Sequence, residues 1–348
     1  MIDQPATTPG TKDHFPVPGA ANLHPSPEGD NRSPRNTSQS TRTWLRDSSA
    51  RLRSLNTEPI SAQDYAQYYQ SWGGSFILHP DVLNYFEKSH GIKTAYRGYF
   101  RDGQCIGAVG TWGSYIAGDR NALVAYGLTD QVDFGYPILH LPIAPWHQCT
   151  VLYRASFLTN LQQPKIAGAV FPGLKQMSLL KQIPEAMLEG KKEFQIKERR
   201  FERLGGIVRD VREFRNDEII AMYEELFRIR WNRPPHAIAG MKHTLDQLKD
   251  CLFGKVLWLK GRAVAIQINY RADTRRTICI DYINGGVDKS FNGISPGSLL
   301  SYINGRNACA DARSTGKQLI YSYGKSNTDY KDQWCDRVPR GFAGFWIP

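Results

Sequence analysis

From Ser61 onward, apolar residues recur first at helical and then at alternating spacing. "SAQDYAQYYQSWGG" sets Tyr65, Tyr68, Tyr69 and Trp72 at helical intervals, behind a serine cap and before a glycine stop. "HPDVLNYFEKSHG" predicts a second short helix by the same signals. "TAYRGYFRDGQCIGAVGTW" reads as a β-hairpin with Asp102-Gly103 as its two-residue turn. "YIAGDRNALVAYGL" leads from a strand end into a helix, and "VDFGYPILHLPI" returns to extended chain.

The second half repeats this grammar. "EFQIKERRFERLGG" predicts a basic helix stopped at glycine, followed by the strand "IVRDV". "NDEIIAMYEELFRIRW" is amphipathic, with Ile219, Tyr223, Leu226 and Phe227 on one face, and "TLDQLKDCL" is a further helix. Three strands follow, "KVLWL", "AVAIQINY" and "TICIDYIN", separated by Lys260-Gly261 and by a "RADTRR" turn. A helix from about Pro296 to Ser314 then leads into the strand "QLIYSYG". The pattern implies an α/β (α+β) protein of two halves with similar layout, residues 59–175 and 176–348, with the better-formed site in the second. Residues 1–58 are rich in Pro, Ser, Thr, Asn and Gly and offer little to bury, so a disordered tail is expected there.

Charge changes the picture next. The chain carries a formal +11, and the tail's seven basic and six acidic residues nearly cancel, so the excess belongs to the folded part. A polyanionic partner is implied, whether nucleic acid, an anionic membrane surface or a phosphorylated ligand. Residues 191–215 hold nine basic and five acidic residues, which fits a headgroup or nucleic-acid footprint and equally a solvated, ion-paired helix. No helix-turn-helix accompanies the charge, which ranks transcriptional regulation last.

Other classes drop out on composition. The six cysteines form no CxxC pair, and His140/His147 and His236/His243 stand seven apart, so no metal site is expected. No apolar leader segment opens the chain, and reduced cysteines in a cytoplasmic protein are the expectation. The uncharged run "FGYPILHLPIAPWHQCTVLY" is long enough to span a bilayer, but Pro137, Pro142 and Pro145 would break its helix. It reads as a buried strand with a proline-rich loop; an interfacial membrane contact is the alternative.

Two stretches could carry chemistry. In "DYINGGVDKSFNGISPGSLL", residues 281–300, a strand end, a glycine-rich loop and a helix start follow one another. Gly285, Gly286 and Gly293 would let backbone approach a ligand, Ser295 would cap the helix, and Pro296, Gly297 and Ser298 would open it. Free N–H groups there favour phosphate. No Walker or GxGxxG spacing is present, and a plain helix cap explains the same residues. In "YSYGKSNTDYKDQW", residues 321–334, Tyr321 and Tyr323 share a strand face, and Lys325, Asp329, Tyr330, Lys331 and Trp334 cluster in a short polar loop. A pocket for an acyl or phosphate group, or a solvated loop beside a tyrosine-lined core edge, would both look like this.

The segments "GGSFILHPDVL", "TWGSYIAGDRNAL", "DFGYPILHLPI", "DYINGGVDKSFNGISPGSLL" and "YSYGKSNTDYKDQWC" together resemble the Mig proteins, macrophage-inducible-gene products linked to antimicrobial-peptide resistance in Gram-negative bacteria. The resemblance runs from about Tyr68 to Cys335. It implies a virulence-associated cytoplasmic protein, peripheral on the inner membrane, that helps a cell survive cationic host peptides. The order of elements also resembles, more distantly, Fem-type N-acyltransferases. That likeness implies two acetyltransferase-like domains in tandem, with mixed sheets flanked by helices. It also implies transfer of an acyl or aminoacyl group from acyl-coenzyme A or aminoacyl-tRNA to an amine. The sequence departs from the pattern in lacking the Q/RxxGxG/A loop and in carrying Ser322 before the glycine, where many relatives have an acidic residue.

On this reading Asp281 is the candidate base or amine-orienting group and Tyr323 the candidate proton donor. Gly285, Gly286, Gly293, Ser295, Gly297 and Ser298 would line the donor site, and Lys325 or Lys331 would neutralise its charge. The competing reading is a non-catalytic member of the fold that binds cationic peptide or anionic lipid at the inner membrane, with nucleic acid entering only as a tRNA donor.

Overall fold

The structure, a computed structural model, describes residues 57–181 and 192–344. Residues 1–56 of the expected tail lie outside the described residues, while Glu58 already belongs to a strand.

In the first half, β1 (Glu58–Pro59), β2 (Ala95–Arg101), β3 (Gln104–Trp112) and β4 (Tyr115–Ile116) form a four-stranded antiparallel sheet in that order. The β2–β3 hairpin turns at Asp102 and Gly103, both at positive φ, as a two-residue connection requires. Helix α1 (Ala62–Trp72) starts in a capping box in which Ser61 and Asp64 satisfy each other's backbone N–H. Helix α2 (Pro80–His90) starts with Pro80 behind His79, whose ring accepts from the Asp81 N–H, and ends at left-handed Gly91. Helix α3 (Arg120–Ala125) is capped by Asp119, a buried carboxylate that also takes hydrogen bonds from the backbone and hydroxyl of Ser156.

The uncharged run 134–153 forms no helix. Its prolines leave an extended path held by single bridges, Gly107 to Ile143 and Leu139 to Leu158, and Phe134 and residues 138–144 are buried. Among the described residues no helix is long and apolar enough to cross a membrane. Short strands β5 (Cys149–Thr150), β6 (Ala155–Thr159), β7 (Ile166–Ala167) and β8 (Gln176–Leu180) follow.

Helix α4 (Lys192–Arg203), β9 (Ile207–Asp210), α5 (Asn216–Trp231) and α6 (Ile238–Leu248) then lead into the long strands. α6 starts ahead of "TLDQLKDCL", at Ile238, because Met241 joins Leu245 and Leu248 on its buried side. The antiparallel run β10 (Lys255–Leu259), β11 (Arg262–Asp273) and β12 (Thr277–Val287) is followed by α7 (Pro296–Thr315), β13 (Gln318–Lys325) and β14 (Cys335–Ala343). The second sheet has the order β6-β14-β8-β13-β12-β11-β10-β9. Within it only β12 and β13, joined through α7, run parallel.

Its two faces are buried differently. Ile278 and Ile280 of β12, with Tyr321 and Tyr323 of β13, pack with Leu299, Leu300 and Ile303 of α7. The opposite face of β12 carries Cys279 and Asp281, and there the first half covers the sheet. Phe76 stacks on Tyr270 of β11 with ring centroids 4.7 Å apart, and Phe134 meets the same ring edge-on at 5.5 Å. Burying these rings ties the halves into one core.

Where it is described, the basic stretch 191–215 is half ion-paired, through Lys197, Arg209, Arg212 and Arg215. Lys197 pairs with Glu193, Arg209 with Glu213, and Arg306 of α7 binds Glu198 through two hydrogen bonds of 2.7 Å.

Candidate functional site

The parallel ladder between β12 and β13 ends at the pair Asp281–Ser322. Beyond it the strands part, because β12 stays paired with β11 through Val287 while β13 turns to β8. A cavity of about 390 Å³ opens beyond that point. Its walls are Tyr282, Gly285 and Gly286 of β12, Gln267 of β11, Gly297, Ser298 and Ser301 of α7, Arg230 of α5, and Tyr330 and Trp334.

The expected glycine loop is therefore a strand. Gly285 pairs with Gln267 and Gly286 with Ile266, after an irregularity in the register that lies between Ile268 and Asn269. Gly286 is required by packing. A Cβ there would stand 2.5 Å from Leu226 Cβ and 2.7 Å from the Phe227 nitrogen of α5. Gly297 is less constrained, since a Cβ would come no nearer than 3.7 Å to Val287. Gly293 is outside the cavity wall; its carbonyl accepts from the Arg200 guanidinium at 3.1 Å. Ser295 does not cap α7 through its side chain. It sits in the left-handed region at φ 46°, and its hydroxyl donates weakly to the Asn292 carbonyl at 3.4 Å. With Pro296 first, the Gly297 and Ser298 N–H groups are the free donors at the mouth of α7.

The other candidates fall elsewhere. Asp281 points to the face opposite the cavity. It is 2% exposed, its Oδ1 accepts from the Ile138 N–H at 3.3 Å, and its Oδ2 has no partner. Burial raises its pKa to about 7, against a smaller lowering by the Ile138 bond. Tyr323 is stacked between Tyr321 at 4.8 Å and Tyr282 at 5.3 Å, one ring behind the cavity wall, and its buried hydroxyl has no partner. Gly324 does not end β13, which continues to Lys325. Lys325 lies 3.8 Å over the Tyr136 ring, on the first half. Lys331 is buried, and its ammonium donates to the Tyr323 and Lys325 carbonyls at 2.7 Å each, so it holds the chain after β13 and is not a free charge.

Sequence reasoning missed Arg230, Gln267 and Ser301, whereas Tyr330 and Trp334 belong to the aromatic and lysine cluster that it offered as a pocket. A signal was present in the polar residues set into apolar runs. Gln267 donates to Ser301 Oγ at 2.7 Å and accepts from Asn304 at 2.8 Å, a buried bridge from strand to helix beside the cavity. Trp334 lines the cavity but is only 2% exposed, and its buried indole N–H has no partner. Arg230 Nη1 donates to the Gly285 carbonyl at 3.3 Å. Burial raises the pKa of Tyr282 and of Tyr330, so both hydroxyls stay protonated and act as donors. Arg230 and Lys289 are the cations at the wall, and no carboxylate or imidazole is found among the described residues that line it. Among the described residues no cluster could hold a metal ion.

A mixed sheet with parted parallel strands and a helix mouth at the opening defines an acyltransferase-like fold of the FemX type. A crystal structure of FemX is similar over 82% of this chain and 96% of that one, with a TM-score of 0.50 and 12% identity. The L-PGS structure from Bacillus licheniformis matches 82% of this chain and 92% of its own, with a TM-score of 0.41 and 11% identity. A C-terminal domain of a putative lysylphosphatidylglycerol synthetase from Agrobacterium fabrum covers 54% of this chain and 66% of its own, at TM-score 0.38 and 13% identity. At such identities the FemX likeness speaks for the fold alone, and the two weaker ones carry nothing further. No curated protein sequence matches the chain. The Mig-14 family profile matches residues 79–342, and the chain belongs to the Mig-14 family.

Proposed function

We propose that the cavity where β12 and β13 part holds an activated acyl donor, and that the protein transfers the acyl or aminoacyl group to an amine. The observation that carries this reading is the parting itself. It leaves a cavity against the free N–H groups of a 20-residue helix, with Arg230 and Lys289 in its wall. Donor phosphate would meet the Gly297 and Ser298 N–H groups, with Arg230 and Lys289 supplying countercharge. Coenzyme A and the end of a charged tRNA both offer such a phosphate.

In the transfer, the amine nitrogen bonds to the acyl carbon and the carbon–sulfur or carbon–oxygen bond to the donor breaks. The proton shed by the amine ends on the departing thiol or hydroxyl. Tyr282 and Tyr330 would be the hydrogen-bond donors that stabilise the developing oxyanion or leaving group. None can act as a base. The amine therefore enters unprotonated, which favours an α-amino group, pKa near ~8, over a lysine side chain, near ~10.4. Holding donor and amine together supplies the rest of the rate. The biological role implied by the Mig resemblance, survival of cationic host peptides, would follow from acylating an envelope amine or the peptide itself.

The absence of a carboxylate or imidazole general base among the described lining residues favours one other reading, a binder of peptide or anionic lipid without chemistry. Mass spectrometry of incubations with acetyl-coenzyme A or a mixed aminoacyl-tRNA pool, with an amine acceptor, separates the two. The transferase reading expects an acylated amine, formed at a rate that follows the acceptor's own titration as pH rises. Donor binding without product would leave the binder.

A further inference from the structure

A second concave site lies at the other end of the same two strands. A groove of about 1170 Å³ is lined by Trp72, Trp146, Lys165, Arg275 and Arg276, among others, near the first residues of β12 and β13. Thr277 and Gln318 belong to its wall, whereas the donor cavity begins at Tyr282. From Thr277 to Tyr282 is about 17 Å of strand at ~3.3 Å per residue, so the two openings are separate sites.

The groove is positive without compensation. No carboxylate is found among the described residues that line it. Asp273, on the same turn, is engaged by Arg271 and Lys317. Arg276 is exposed and spends its Nε–H on the Ser71 carbonyl at 3.0 Å, and Lys165 reaches only the Ile143 carbonyl at 3.4 Å. Burial and the nearby Arg276 lower the pKa of Lys165, and burial with Lys165 lowers that of His140 to about 3.

A flat apolar surface stands beside them. Trp146 is 101% exposed and is held at φ 64°, in the left-handed region that an indole-bearing residue seldom occupies. Its loop is fixed by the His147 N–H to the Ala144 carbonyl at 3.3 Å, and by the His147 ring against the Pro145 carbonyl at 2.9 Å. Trp72 stacks on Tyr68 with centroids 4.6 Å apart, leaving a second indole at the wall. Three unpaired cations with a presented indole match a phosphate bonded to a planar ring.

We propose that this groove binds a nucleotide unit, its phosphates held by Lys165, Arg275 and Arg276 and its base stacked on Trp146. The unit is either a free nucleotide or part of a single-stranded nucleic acid.

The test uses the full chain with ATP, a fluorescein-labelled oligo(A) eight-mer, and vesicles of mixed phosphatidylglycerol and phosphatidylcholine. ATP or the oligonucleotide should bind saturably. Arg275→Gln/Arg276→Gln should weaken binding at least tenfold, and Trp146→Leu about fivefold or more. Both variants change exposed side chains, so unchanged melting curves are expected. Engagement of all three cations gives a slope of about −2 in log K against log salt for the oligonucleotide. Tighter binding of the oligonucleotide than of ATP assigns the site to a strand, and equal affinity assigns it to a free nucleotide. Ser298→Asp should leave ATP affinity unchanged; loss of binding there would move the nucleotide to the donor cavity and overturn the proposal. It is equally overturned if neither probe distinguishes wild type from the arginine variant, or if only the vesicles bind.

Discussion

Asp281 and Tyr282 are adjacent on β12 and face opposite sides of the second sheet. Tyr282 walls the donor cavity, while Asp281 lies under the first half against the Ile138 N–H. The one strand thus supplies a hydrogen-bond donor to the cavity and a strained carboxylate to the junction between the halves.

The carboxylate makes stability depend on pH. With the folded pKa of Asp281 raised from 3.8 to about 7, the native state holds a proton that the unfolded chain releases between those values. Stability from this group is therefore full below about pH 4 and is lost as pH rises through 7. Three pH units at ~1.36 kcal/mol each make the loss as much as ~4 kcal/mol. Asp281→Asn, which cannot ionise, should match wild type near pH 4 and exceed it at pH 8 in urea melts. Equal pH dependence of the two proteins would refute the assignment.

At the mouth of α7 a single change should act with opposite signs on helix and ligand. Ser298→Asp puts a carboxylate in the first turn, which stabilises the apo-protein by about 0.5 kcal/mol through the helix dipole. The same charge repels a phosphate. Melting curves should show a slightly raised apo midpoint and no further rise with donor.

The two glycines flanking the cavity separate packing from binding. Gly286→Ala forces a methyl into α5 and should cost about 1–3 kcal/mol. Gly297→Ala has room and should be neutral or stabilising by about 0.5 kcal/mol, while narrowing the cavity. Chemical denaturation of the pair would expose an error if Gly297→Ala proved the more damaging.

The two lysines near the end of β13 should also differ. Lys331→Met strips two buried carbonyls of their donor and should cost about 2–4 kcal/mol. Lys325→Met loses a contact with one ring and should cost less than ~1 kcal/mol. Thermal unfolding of both variants in one buffer checks the order.

Much of this was legible in residue pattern. The Asp102-Gly103 hairpin, the Ser61 cap and the apolar face of α5 are local, and local chemistry decides them. The chain around Gly285 was not, because Asn-Gly-Gly has poor strand propensity and only pairing with β11 keeps it extended. Lys331 looked like a loop charge, since nothing nearby in sequence shows that two carbonyls of β13 fold over it. Asp281 and Tyr323 were found as residues, but which face each presents depends on the first half covering one side of the sheet. Arg230 reaches the cavity from α5, a proximity that only tertiary structure creates.

The central claim, a donor cavity where β12 and β13 part, is tested most directly by calorimetric titration of acetyl-coenzyme A and a mixed aminoacyl-tRNA pool into wild type and Ser298→Asp. The account predicts, for at least one of the two donors, a saturable site that is weakened at least tenfold in Ser298→Asp and persists when the basic groove is removed by Arg275→Gln/Arg276→Gln. Binding of equal strength to both proteins, or no binding of either donor to wild type, would contradict it.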